Sequence, residues 1–228
     1  MVRRLVLLLL ALPLAAQIPY DQIPAEYREE VRQVVTKADF HFATRTEPKQ
    51  VRVATLEKIF DHPRVGVALW RYCRFAPTFF AFTHGDGSWT VDDAQGLRGT
   101  MHLVYRRPGH RIYLVYGVAE PGRVNALSPR VKARMLTSYR YWDGPKGFES
   151  HLESWTELDS AVLGFFAKPF RGVLRRKQDQ FIAYINGNVA AFGEFAEADP
   201  AEYRRALQGE GDLDALRDFE RLFRRNGH

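Results

Sequence analysis

The chain has 228 residues, with 33 Lys and Arg against 27 Asp and Glu and a formal charge of +6. That mild excess lacks the charge blocks of nucleic-acid tails, so DNA or RNA is not indicated as a partner. A single cysteine, Cys73, excludes an internal disulfide framework, and the length suits one sizeable domain with helical additions.

Residues 1–16 have the build of a secretory signal. Arg3 and Arg4 precede an apolar run from Leu5 to Leu12, and the small residues Ala15 and Ala16 follow. Leu14 is not the usual small residue at its position before the cut, so a retained anchor is the alternative. No Cys follows to carry a lipid. Elsewhere no segment reaches the ~18 apolar residues that span a bilayer. The expectation is an exported bacterial protein, periplasmic or secreted.

Residues 17–38 form an N-terminal helical extension, with a helix from Pro24 or Ala25 to Lys37 carrying Tyr27, Val31 and Val34 or Val35 on one side. Phe40, Phe42 and Thr44 alternate with His41, Ala43 and Arg45 as a first strand. The span 50–74 has helical periodicity broken at Pro63, which predicts two helices at an angle. Strands follow over 78–83, 88–92, 97–106 and 111–120, with His84-Gly85-Asp86-Gly87 and Pro108-Gly109 as hairpin turns. After a loop over 121–129 come two long strands, 131–142 and 147–157. Long neighbouring strands joined by short turns imply an antiparallel meander.

A short helix is expected over 160–167, capped by Asp159 or Ser160, and a long one begins at Pro169. On a wheel of roughly 100° per residue, Phe170, Val173, Leu174, Phe181, Tyr184, Ile185, Phe192 and Phe195 fall in one stripe. Lys177 and Asn188 sit on that stripe. Each either faces the polar end of a ligand or is satisfied locally, Lys177 by reaching solvent and Asn188 by bonding backbone. Gly187 marks a kink or a close approach to another backbone. Residues 198–228 form a C-terminal appendage of two helices, 201–207 and 213–225.

Motifs for chemistry are few. There is no G-x-S-x-G, Cys73 has no motif around it, and no glycine-rich phosphate loop precedes a helix. His151 and Glu153 share a strand face about 7 Å apart, as a metal or acid-base pair would, but Glu149, Trp155 and Glu157 share it too, which favours a solvated outer face. Asp92 and Asp93 end a strand in a turn. Alternation groups Met101, Leu103 and Tyr105; Ile112, Leu114, Tyr116 and Val118; Met135, Thr137, Tyr139 and Tyr141; and Phe148, Ser150, Leu152 and Ser154. These sets make a wide apolar surface dotted with hydroxyls. Either the hydroxyls meet something held inside, or they reach the rim and water.

The strand at 40–44 with helices over 51–70, the meander over 78–157 and the closing helix over 169–195 together resemble the START-like, or SRPBCC, superfamily of helix-grip domains. The resemblance implies an α+β fold over 39–197, in which a curved antiparallel sheet wraps around the long C-terminal helix. It also implies a hydrophobic cavity of the kind relatives use for lipids, sterols and polyketides. The leading expectation is a non-catalytic carrier or sensor of a hydrophobic small molecule or lipid, lined by Leu103, Tyr105, Leu114, Tyr116, Met135, Tyr139, Leu174, Lys177, Phe181 and Asn188. No cofactor or metal is implied. Basic clusters at Arg171, Arg175, Arg176 and Lys177, and at Arg221, Arg224 and Arg225, are possible contacts to a membrane surface, although solvated helix faces look the same. The alternatives are a cyclase- or hydratase-type enzyme using a cavity His, Tyr or carboxylate as acid or base, with His102 or His151 pointing inward, and a packed structural or interaction module.

Overall fold

The computed structural model describes residues 18–74, 80–92, 94, 96–119, 131–159 and 171–223, and for 97, 119, 171–182 and 185 the backbone alone. The signal segment, the 121–129 loop and the short helix at 160–167 lie outside the described residues. So do the side chains of Leu174, Lys177 and Phe181.

A 3-10 turn, Tyr20–Gln22, leads into α1 (Ala25–Lys37) and β1 (Phe40–Arg45). Helices α2 (Val53–Phe60) and α3 (Pro63–Tyr72) follow, the second opened by Pro63, whose missing N–H is harmless in a first turn. Strands β2 (Phe80–Thr83), β3 (Trp89–Asp92), β4 (Leu97–Arg107), β5 (His110–Ala119), β6 (Val131–Gly144) and β7 (Gly147–Leu158) come next. Three helices close the described chain: α4 (Arg171–Ala198), α5 (Pro200–Glu210) and α6 (Leu213–Phe223). Asp199 caps α5 by accepting from Glu202 N at 2.8 Å, and Gly211 ends it in the left-handed region.

The seven described strands form one curved antiparallel sheet in the order β1-β7-β6-β5-β4-β3-β2. Directly paired residues share a face, so the register sorts the side chains. The inner face carries Phe42, Ser154, Thr137 and Tyr113 in one row, and Thr44, Leu152, Tyr139 and Arg111 in the next. Against this face pack α2, α3 and the second half of α4, joined in the same core by Tyr203, Leu207 and Phe219 of the C-terminal helices. The arrangement is a helix-grip α+β fold. The outer face is covered as well: Val31 and Val34 of α1, with Ile18 and Ile23, bury Val104, Ile112, Leu114, Leu136 and Trp155. Full burial of a Leu or Ile stabilises by roughly 1.5–3 kcal/mol, so both faces contribute to the fold. No helix among the described residues is long and apolar enough to cross a membrane.

Helix α4 runs unbroken through Gly187, and a Cβ there would meet nothing within 4 Å. The close approach expected as one alternative is therefore not at Gly187. The close approach is at Gly193, where a Cβ would lie 2.5 Å from Leu56 Cδ2 and 2.6 Å from Val51 Cγ2. Asn186, Ala190 and Gly193, spaced four and three apart, form the strip that enters the core between sheet and α2. The described aromatic residues of the stripe face elsewhere. Phe192 packs on Trp70 of α3 and Phe195 on Tyr203 of α5, while Tyr184 is exposed.

Candidate functional site: the inner face of the sheet

The β4–β5 hairpin turns at Gly109, whose φ of +74° and approach to the Tyr141 carbonyl suit glycine. Two residues on, Arg111 points inward and is 0% exposed. Its guanidinium donates through Nε to the Tyr141 hydroxyl at 3.0 Å and through Nη2 to the Glu57 carboxylate. Nη1 forms an ion pair with Asp61 at 2.8 Å, without the alignment of a hydrogen bond. Tyr141 donates its hydroxyl to Glu57, and Arg106 reaches the other Asp61 oxygen at 2.5 Å. Burial pushes the Glu57 carboxyl up, but the bonds from Tyr141 and Arg111 outweigh it and hold the group below the usual carboxylate range. Burial alone would also lower Arg111; Tyr113, Glu57 and Tyr141 together keep it above its ordinary value. This cluster ties the end of α2 to the sheet and leaves Arg111 fully matched by acidic partners.

Beside it lies a neutral polar patch. Ser150 Oγ donates to Asn186 Oδ1 at 2.9 Å and sits 3.1 Å from Thr46 Oγ1. Asn186 is 2% exposed, and its Nδ2 has no hydrogen-bond partner. Neither has the buried Ser154 Oγ, nor the Tyr139 hydroxyl in good geometry, for which Ser150 is the polar neighbour. Burial pushes the Tyr139 hydroxyl up, so it is a neutral donor. Leaving such a group unsatisfied costs about 1–3 kcal/mol, and buried polar groups in folded proteins rarely go without a partner.

Across β3, β4 and β5, beyond the Arg111 cluster, the inner face is apolar. Trp89 pairs with Met101, Met101 with Val115, Val115 with Met135, and Leu103 with Tyr113. Trp89, Met101, Tyr113 and Met135 are half-buried and Leu103 is 37% exposed. Trp89 and Tyr113 meet edge to face, their ring centroids 6.3 Å apart. An accessible apolar surface thus runs along the strands toward buried neutral hydrogen-bonding groups.

Of the residues expected to line the interior, Leu103, Met135 and Tyr139 are on this face. Tyr105, Leu114 and Tyr116 are not, and the expectation is corrected. Leu114 and its neighbour Ile112 are buried against α1, and the Tyr116 hydroxyl donates to Glu30 of α1 at 2.6 Å. Tyr105 belongs to that outer cluster because the β4 register shifts between Leu103 and Tyr105, breaking the alternation that grouped them. Asn188 is half-buried, with a buried Nδ2 that has no partner. It lies about 200° around α4 from Asn186, so Asn186 is the residue that meets the sheet. Sequence reading passed over Asn186; the signal for it was its spacing from Ala190 and Gly193, a small-residue strip suited to close packing.

Both histidines considered for acid-base work point outward. His102 pairs with Leu114 and has Nδ1 3.3 Å from the Tyr27 hydroxyl. His151 pairs with Arg45 and Arg140, and burial lowers its pKa. The face it shares is not solvated as expected, since Glu153 and Trp155 are buried there. Glu153 bonds His41 Nε2 at 2.8 Å, and the His41 ring stacks on Trp155. Asp92 does end its strand in a turn, accepting from Ala94 N at 2.8 Å. Among the described residues no three His, Cys, Asp or Glu side chains gather as metal ligands.

No family model matches the chain, and no curated protein does. Among solved structures, a conserved protein from Geobacillus kaustophilus aligns with 69% of this chain and 97% of its own, at 10% identity and a TM-score of 0.49. An uncharacterized protein from Rhizobium leguminosarum aligns with 68% and 94%, at 16% identity and a TM-score of 0.42. The di-domain ARO/CYC protein StfQ of the steffimycin biosynthetic pathway aligns over 76% of this chain and 55% of its own, at 13% identity and a TM-score of 0.38. At these scores the likenesses assign neither family nor function, and the helix-grip arrangement stands on the topology itself.

Proposed function

We propose that this protein is a START-like binding protein that takes a lipid or lipid-like molecule between the inner face of the sheet and α4, and serves outside the cytoplasm as a carrier or sensor. The observation that supports this reading is the set of buried, neutral, unpartnered polar groups at Tyr139, Ser154 and Asn186 on the same face as the half-buried apolar residues Trp89, Met101 and Met135. A packed core disfavours such groups, whereas a site for an apolar ligand uses a few of them to fix its orientation. Burial of ligand hydrocarbon at ~25 cal/mol per Å² supplies the affinity. An enzyme that uses His102 or His151 is not favoured, because both lie on the opposite face.

Native mass spectrometry of the full chain, purified from an exporting host, tests the proposal. A co-purifying lipid-sized mass that is lost on delipidation and regained from labelled vesicles is the expected result. A protein that is always empty and takes up nothing from vesicles sinks it. Fractionation of the same cells tests the location, for which the residues ahead of Ile18 are the basis.

A further inference from the structure

Resting on that binding reading, we infer that the ligand's polar end is uncharged, an alcohol, ketone, ester or amide, and that Tyr139, Ser154 and Asn186 recognise it by hydrogen bonding. Charge bookkeeping on the inner face carries the argument. Its described cations are Arg106 and Arg111. Arg111 is enclosed by Glu57, Asp61 and Tyr141, and Arg106 is held on Asp61. Both are already paired with carboxylates, Arg106 at the exposed rim, and those carboxylates repel an anion. A carboxylate or phosphate brought to these groups would exchange hydration for neutral dipoles with no unpaired cation among the described residues of the inner face, which is among the costliest burials available.

Arg111 Nη1 lacks an aligned hydrogen bond but is ion-paired to Asp61, and the groups left with unmet capacity on Tyr139, Ser154 and Asn186 are neutral. A phenol held un-ionised by burial, a serine hydroxyl and a carboxamide at 2% exposure supply donors and acceptors without charge. Ser150 joins Asn186 to the sheet and sits beside Tyr139, so two of the three are organised around one hydroxyl. Ser154 lies further along the same strand face. A carbonyl or hydroxyl entering here gains partners that the empty interior lacks. An acid gains the same partners but loses far more solvation.

Four probes of equal chain length separate the possibilities: cetyl alcohol, methyl palmitate, palmitate and hexadecane, each titrated at pH 7.5 into the delipidated full-length protein. The expected result is that the alcohol and the ester bind at least about tenfold tighter than palmitate, and tighter than hexadecane. Tyr139→Phe and Ser154→Ala each weaken the alcohol about three- to tenfold while leaving hexadecane unchanged. Both variants remove one oxygen that has no well-aligned partner, so thermal midpoints at or above wild type confirm folding, and either variant serves if the other fails that check. Palmitate binding as tightly as the alcohol overturns the inference and leaves the binding reading standing. Unaltered alcohol affinity in both variants also overturns it, and points to trapped water as the partner of these groups. Binding of none of the four probes removes the binding reading itself.

Discussion

At Arg111 the inner face concentrates its charge, and the consequence of removing it follows from what would remain. Arg111→Met leaves Glu57 and Asp61 side by side without a buried cation, and breaking a buried pair costs about 3–5 kcal/mol. The two carboxylate side chains keep 23% and 28% of their surface exposed, so the low end, about 3 kcal/mol, is expected in urea denaturation. Adding Glu57→Gln to Arg111→Met should recover part of the loss, because one uncompensated charge is gone; a single variant within 1 kcal/mol of wild type would show that the cluster is not structural. His110 makes a different prediction. Its Nε2 sits 2.9 Å from Ser138 Oγ, and burial, helped by Arg140, lowers its pKa from 6.5 to about 4. Between those values the unfolded chain binds more protons than the folded one, so stability falls as pH drops through the window and is fully present above it. Burial lowers His151 as well, so His110→Gln should flatten the loss between pH 6.5 and pH 4 without abolishing it. Thermal midpoints at pH 7, 5.5 and 4.5 read the slope, and an unchanged slope in His110→Gln refutes the assignment.

Two glycines in α4 separate propensity from packing. Gly187→Ala meets nothing within 4 Å, so the helix should gain about 0.5–1 kcal/mol. Gly193→Ala gains the same propensity but pushes a methyl into Leu56 and Val51. Overpacking of that kind costs roughly 1–3 kcal/mol, so a net loss of about 1 kcal/mol is expected. Opposite shifts of the denaturation midpoint are the signature; two stabilising substitutions would mean that α2 yields easily. The same helix shows why the order of elements was legible in the sequence while the site was only partly so. Strand and helix bounds followed from alternation, from Pro63 at a helix start and from glycine turns, all local signals. Facing was not local. Both sides of the sheet are covered, so Ile112, Leu114 and Tyr116 read like a pocket wall although they lie under α1. The register shift at Leu103/Tyr105 splits one apparent stripe between two faces. In α4 Phe192 and Phe195 go to α3 and α5, and the side entering the core is small and polar because the backbones come close there. Arg111 escaped notice because a charged residue in a strand ordinarily reads as solvent-facing, and only its acidic partners on another element explain its burial.

Across the whole molecule, the C-terminal helices decide whether the grip domain can stand alone. Residues 198–228 read as an appendage, yet Tyr203, Ala206, Leu207, Ala215 and Phe219 share one buried cluster with Leu56, Leu69 and Tyr141. Tyr203 stacks on Phe219 at 4.6 Å and packs with tilted rings on Phe195 of α4 at 5.7 Å, and Arg71 of α3 is held by Glu210 and Asp212. Leu207 and Phe219 alone stabilise by roughly 1.5–3 kcal/mol each. Their loss would also leave Phe195 and Val65 facing water, against a total stability of about 5–15 kcal/mol for a domain of ordinary size. Truncation after Asp199 should therefore give a chain that is insoluble or lacks a cooperative transition, whereas the full chain unfolds in one transition by far-UV circular dichroism and tryptophan fluorescence alike. Trp155 lies under α1 on the outer face and Trp70 against α4 on the inner side, so fluorescence samples both cores. If the two probes diverge, or the truncated chain melts cooperatively near the wild-type midpoint, the helices are a separable addition and the grip is complete without them.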